Sequence, residues 1–117
     1  MTLSCKELFR LLSDETRLRS LVLLYREGEL CVCELVYALG EIQPKISRHL
    51  AILRDQHIVS DRRVGQWVYY RIDPELPDWA HEILRTTVAR AASETRCLQD
   101  IDALKHMPDR PDAVRCA

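Results

Sequence analysis

The stretch Gln43-Pro44-Lys45-Ile46-Ser47-Arg48-His49-Leu50-Ala51-Ile52-Leu53-Arg54-Asp55-Gln56 decides the fold. Proline is favoured in the first turn of a helix, where its missing N–H would have no intrahelical partner anyway. Ile46, Leu50 and Leu53 recur at i, i+4 and i+7, so one face of this helix meets a core while Lys45, Ser47, Arg48 and Gln56 point elsewhere. Just upstream, Cys31 to Leu39 carries Leu35, Tyr37 and Leu39 and stops at Gly40, which predicts a short helix starting near the cysteines. Two short helices joined by a tight glycine-containing turn form a helix-turn-helix.

The flanks extend this pattern. Upstream, Cys5 to Leu12 places Leu8, Leu11 and Leu12 at helical spacing, and Ser13-Asp14 suits the cap of a second helix. That helix runs from Glu15, with Leu18, Leu21, Val22 and Tyr25 on one face, and leaves at Gly28. Downstream, Ile58 to Val64 and Gln66 to Ile72 are rich in β-branched and aromatic residues around Gly65, which predicts a β-hairpin whose tip carries Arg62 and Arg63. After Asp73-Pro74 and Pro77, the residues Ala80, Leu84, Thr87, Val88, Ala91, Thr95 and Leu98 trace one face of a single long helix. The expected architecture is mainly α with a β-hairpin, a winged helix-turn-helix over residues 1–107 followed by a flexible tail over 108–117. The apolar stripes of the first and last helices exceed what so small a core can cover, so the chain is expected to form a homodimer through its terminal helices.

Composition bounds the function. The 117 residues suit one domain, and 47% hydrophobic with 30% charged residues excludes a disordered or fibrous chain. The uncharged run Leu21 to Tyr25 is far shorter than a bilayer span, and the opening Met-Thr-Leu-Ser-Cys-Lys-Glu lacks a signal-peptide layout. A cytoplasmic protein with no membrane partner is expected, and there five cysteines read as free, metal-binding or redox-active. The net charge of −1 hides a gradient. Residues 41–72 hold 6 Lys/Arg against 3 Asp/Glu, whereas residues 73–117 hold 6 against 9. A basic central third can present an anion-binding face regardless of the total.

The donors in that third suit double-stranded DNA. Arg48 offers two parallel hydrogen bonds to a guanine, Gln43 pairs with an adenine, and Lys45 and Ser47 are ordinary phosphate contacts, with His49 on the same helix. Arg62, Arg63 and Gln66 add a second contact from the hairpin. The alternative for all eight is a solvated surface. His57, at the end of the helix, suits the dipole there and receives no DNA role.

Glu29-Leu30-Cys31-Val32-Cys33-Glu34-Leu35 carries different chemistry. Two thiolates one residue apart select soft ions such as copper(I), zinc, cadmium or trivalent arsenic, and the alternative is that each cysteine is a small buried hydrophobe. At about 100° per residue, positions i and i+2 of a helix lie roughly 200° apart. Both sulfurs reach one ion only where the helix is unformed or unwound at Cys31 to Cys33, so binding there would pull on the element supporting residues 44–56. A nearby helix N-terminus also favours the thiolate.

Glu-Leu-Cys-Val-Cys-Glu-Leu at 29–35, Gln-Pro-Lys-Ile-Ser-Arg-His-Leu at 43–50 and Gly-Gln-Trp-Val-Tyr-Tyr-Arg at 65–71 resemble the arsenical-resistance repressors of the ArsR/SmtB family. Asp14-Glu15-Thr16-Arg17-Leu18 does so too, and the likeness spans about residues 6–100. The resemblance implies a homodimeric bacterial repressor that sits on an inverted-repeat operator and leaves when As(III) or Sb(III) binds, with no permanently bound cofactor. It matches Cys31 and Cys33 to the inducer thiolates, Gln43 to His49 to the recognition helix and Arg62 to Gln66 to the wing. Many members carry a third cysteine where this chain has Val36, so trigonal arsenic takes its third ligand from Cys5, Cys97, Cys116, solvent or a small thiol.

Competing readings are a cadmium, lead or zinc sensor, a thiol redox switch and an arsenate-reductase-type enzyme. Zinc and its relatives prefer four ligands, and an enzyme needs an oxyanion cradle that Gly28, Gly40 and Gly65, all at element ends, do not supply. An interfacial zinc site on the last helix would need a second pair beside Asp78 and His81, and none follows.

Overall fold

The computed structural model describes residues 2–111. Among them the chain forms α1 (Cys5–Leu12), α2 (Glu15–Glu27), β1 (Glu29–Cys31), α3 (Val32–Leu39), α4 (Gln43–Asp55), β2 (Val59–Val64), β3 (Trp67–Ile72), α5 (Asp78–Ala91) and α6 (Thr95–Lys105). The α2 cap is the one the sequence implies, with Asp14 Oδ1 accepting from Arg17 N–H at 3.0 Å, and α1 is capped in the same way by Ser4, whose Oγ accepts from Glu7 N–H at 3.1 Å. Gly40, at φ 66°, ends α3 in the left-handed conformation and turns the chain into α4. Ile46, Leu50 and Leu53 are fully buried beneath α4 as their spacing requires, against a core that includes Leu8, Leu11, Leu24 and Leu35.

The hairpin forms as expected, with Val64 opposite Trp67 and Gly65 in the turn at φ 60°. It gains a strand that periodicity does not reveal. β1 pairs antiparallel with β3, Cys31 opposite Tyr69 and Leu30 opposite Tyr70, giving the order β1-β3-β2. Three residues are too short for an alternating pattern, yet the free edge of β3 needs partners for its backbone groups.

The single long helix expected over 80–98 is instead two. Ser93 Oγ donates to Arg90 O at 2.7 Å and Glu94 N–H donates to Ala91 O at 3.0 Å, closing α5 before α6 begins. The break rotates the second half of the stripe: Leu98 is 52% exposed, and Cys97, Asp100 and Leu104 face inward instead. Asp100 explains why. Its carboxylate accepts from Arg19 Nε and Nη2 at 2.8 and 2.7 Å, and Nη2 also reaches Leu39 O at 2.9 Å. One buried guanidinium therefore ties α2, the end of α3 and α6 together.

None of the described helices is long and apolar enough to cross a membrane. Of the tail expected over 108–117, residues 112–117, including Cys116, lie outside the described residues.

Removing one partner of a buried pair strands the other charge, so Asp100→Ala is expected to lower unfolding stability by about 3–5 kcal/mol. Urea denaturation at fixed protein concentration checks this, and a loss below about 1 kcal/mol, the level of a surface pair, would contradict it.

Candidate functional site

The Cys-Val-Cys motif straddles the junction of a strand and a helix. Cys31 is the last residue of β1 and the N-cap of α3, with extended φ −82° and ψ 157°, whereas Cys33 lies inside the first turn. The helix is thus unformed at Cys31 alone, and no unwinding is needed for the sulfurs to meet. They are joined as a disulfide, with Cα atoms 5.4 Å apart. Cys31 is buried and Cys33 is half-buried. The pair is close enough to form either a disulfide or a chelate around one thiophilic ion.

Glu34 organises the junction. Its Oε1 accepts from Cys31 N–H at 2.9 Å, the carboxylate half of a capping box. Its Oε2 accepts from Arg110 Nε at 2.6 Å, and Arg110 Nη2 also donates to Glu27 at 2.9 Å. The chain beyond α6 thus returns to the cysteine site at Arg110. The spacing of Glu34 three residues after Cys31 is a signal that sequence reasoning could have used.

The DNA-contact candidates divide. Gln43 and Arg48 are exposed on α4, Ser47 is half-buried, and Lys45 is half-buried with Nζ 2.8 Å from Glu41. His49 is buried and is not on that face. Three residues on from Ile46 it shares the inward stripe, with Nδ1 3.3 Å from Arg17 Nη1 and 3.9 Å from Asp14. Burial pushes its pKa below the usual histidine value, with Asp14 opposing that shift.

On the wing, Arg63 and Gln66 are exposed near the turn. Arg62 is committed elsewhere. Its guanidinium donates to both Glu29 oxygens at 2.8 and 2.7 Å and lies 5.1 Å from the Tyr69 ring centroid. The hydrogen bond from Arg62 holds the Glu29 carboxyl below its usual range. The unforeseen strand β1 brings Glu29 to this place, so Arg62 braces the sheet.

A groove of about 430 Å³ joins the two halves of the site. Cys31, Val32 and Cys33 line one end. Gln43, Ser47, Ala51 and Arg54 of α4 form one wall, and Asp61, Arg63, Gln66 and Tyr70 belong to the wing wall. Arg54 Nη1 crosses it to Asp61 at 3.3 Å.

The remaining candidates stand apart. Cys5 is exposed on α1, and Cys97 is buried on α6, where burial pushes its thiol pKa up. His81 and His106 are exposed, and His81 lies 5.7 Å from the Tyr25 ring. Among the described residues no group of three or more His, Cys, Asp or Glu is placed to hold a metal ion.

The depressed His49 pKa fixes a sign. Its contribution to stability is complete above the unfolded value of about 6.5 and is lost as pH falls below it, because the unfolded chain then binds the proton more readily. Urea midpoints at pH 7.5 and 5.5 should fall more in the wild type than in His49→Gln. Equal falls would contradict the assignment.

Comparison with known proteins completes the picture. The bacterial regulatory protein, arsR family, matches residues 14–61. The arsenic resistance transcriptional regulator ArsR2 of Pseudomonas putida is 52% identical over 112 residues, covering 94% of this chain and 96% of its own. The arsenical resistance operon repressor of Escherichia coli is 54% identical over 78 residues, 67% of each chain. Among solved structures, the AntR antimony-specific transcriptional repressor has a TM-score of 0.61 at 30% identity, covering 78% of this chain and 85% of its own. HlyU from Vibrio cholerae has a TM-score of 0.64 at 29% identity, covering 74% and 89%. The arsenic and antimony relatives are named as transcriptional regulators or repressors rather than enzymes, and the winged helix-turn-helix described above is shared with them; the chain belongs to the arsR family of bacterial regulatory proteins.

Proposed function

We propose that this chain represses transcription by occupying an operator as a homodimer, and that As(III) or Sb(III) bound to the Cys31 and Cys33 thiolates releases it. The observation that carries this reading is the shared groove: the cysteine pair lines one space with four of the DNA-contact candidates, Gln43 and Ser47 of α4 and Arg63 and Gln66 of the wing. A ligand at one end acts on the surface that must fit DNA. The names of the relatives point the same way, two to arsenic resistance and one to antimony.

Gln43, Lys45, Ser47 and Arg48 enter the major groove, with Arg48 reading a base and Lys45 a phosphate. Arg63 and Gln66 contact the backbone from the wing. Arg17 and His49 hold α4 against α2, and Arg62 holds β1. A second copy covers the exposed apolar residues of the terminal helices: Phe9 on α1 is 53% exposed, borders a shallow groove with Ile83 of α5, and Leu98 on α6 is 52% exposed. Two-fold symmetry then calls for an inverted repeat with half-sites about 10 bp, or a multiple, apart. The repressor works in the cytoplasm, where reduction opens the disulfide to the thiolate pair; residues 1–107 form the working domain.

The donor set fits trivalent arsenic or antimony. Two adjacent thiolates supply most of a trigonal shell, whereas cadmium, lead or zinc would seek two more protein ligands. The disulfide favours one second reading, a redox switch released by oxidation.

Fluorescence anisotropy on operator DNA separates these. Reduced protein should bind, and arsenite or antimonite should release it, while Cys31→Ser/Cys33→Ser stays bound. Release by peroxide but not arsenite would replace the metalloid reading with the redox one, release by cadmium alone would replace it with the metal one, and absence of DNA binding would overturn repression.

A further inference from the structure

Val36 leaves the cysteine pair one sulfur short of a trigonal shell. The described cysteines do not supply it: Cys97 faces Arg19 and Asp100 in the core with its thiol pushed toward the protonated form, and Cys5 sits on α1, which packs on α2. The open side of the pair is the groove. Its volume of about 430 Å³ lies in the usual range for small-molecule sites. Cys33, half-buried, lines one end, and two guanidinium groups, Arg54 and Arg63, line the walls against one carboxylate, Asp61, already in contact with Arg54. With the two sulfurs bonded to each other or to arsenic, the charge of this lining is +1, which favours an anion.

Resting on the metalloid-sensing reading above, we propose that the groove is a binding site for a small anionic thiol of the glutathione class, whose sulfur completes the arsenic shell. Its carboxylates accept hydrogen bonds from Arg54 and Arg63, and its peptide groups meet Gln43 and Ser47. The disulfide is first reduced by two equivalents of the same thiol, which leave as its own disulfide. Arsenous acid then exchanges three As–O bonds for three As–S bonds, to Cys31, Cys33 and the free thiol. Each thiol proton leaves with a hydroxide as water, and arsenic stays trivalent. The bound thiol fills the space between α4 and the wing, so the ligand that completes the shell also blocks the walls that contact DNA.

Native mass spectrometry of protein kept reduced with a phosphine, with X-ray absorption at the arsenic edge, tests this. Arsenite alone should give an adduct with two sulfur ligands. Adding glutathione should give a ternary complex carrying one glutathione mass and three sulfur ligands. Cysteamine, a cationic thiol, should need about tenfold higher concentration, the ratio expected of a charge-assisted hydrogen bond. Arg54→Gln/Arg63→Gln should abolish that preference while still binding arsenite. A three-sulfur adduct without added thiol would show that the protein supplies the third ligand and would overturn this proposal while leaving metalloid sensing intact. Equal affinity for the two thiols would overturn the groove's role. Failure of arsenite to bind in every condition would overturn both readings.

Discussion

Residues i and i+2 of a helix point to opposite sides, so two thiols at that spacing meet only where the helix is unformed at one of them or both. The chain meets this constraint by ending β1 and starting α3 at Cys31. The arrangement has to be held from both sides. β3 supplies the partner that keeps Glu29 to Cys31 extended, and Glu34 closes the first turn by accepting from the Cys31 N–H. Arg62 fixes Glu29 at one end of the strand and Arg110 fixes Glu34 beyond the other. The pair is thereby held in a frame fixed on both sides, the preorganisation a binding site needs.

The same junction places the pair in one groove with residues of α4 and the hairpin. α3 is capped by Cys31 and Gly40, and the turn after Gly40 delivers α4, whose Ile46, Leu50 and Leu53 are fully buried. Arg19 holds the far end of α3 to α6 by donating to both Leu39 O and Asp100. α3 is thus pinned at its C-terminal end by a buried ion pair and at its N-terminal end by the cysteine frame. The cysteine pair itself lines the groove.

Much of this was legible in the sequence. α1, α2 and α4 have periodic apolar faces, and the hairpin has its β-branched and aromatic runs around a glycine. What escaped was decided by tertiary partners. β1 is three residues long and exists because β3 has an edge to fill. The α5–α6 break turns on Ser93 and on an aspartate that a hydrophobic stripe counts as polar but that Arg19 draws inward. Within the site, the types of Arg48, Gln43 and Arg63 suggested their exposure, whereas His49 and Arg62 look like DNA contacts until Arg17 and Glu29 are placed beside them.

Release of operator DNA by arsenite requires that the cysteine pair and the proposed DNA surface be energetically coupled through the groove they share. Coupling between two binding sites is reciprocal. Arsenite affinity should therefore be measured by calorimetry on the reduced protein with and without saturating operator DNA. Operator is expected to weaken arsenite binding by the same factor by which arsenite weakens operator binding. An arsenite affinity unchanged by DNA would contradict it.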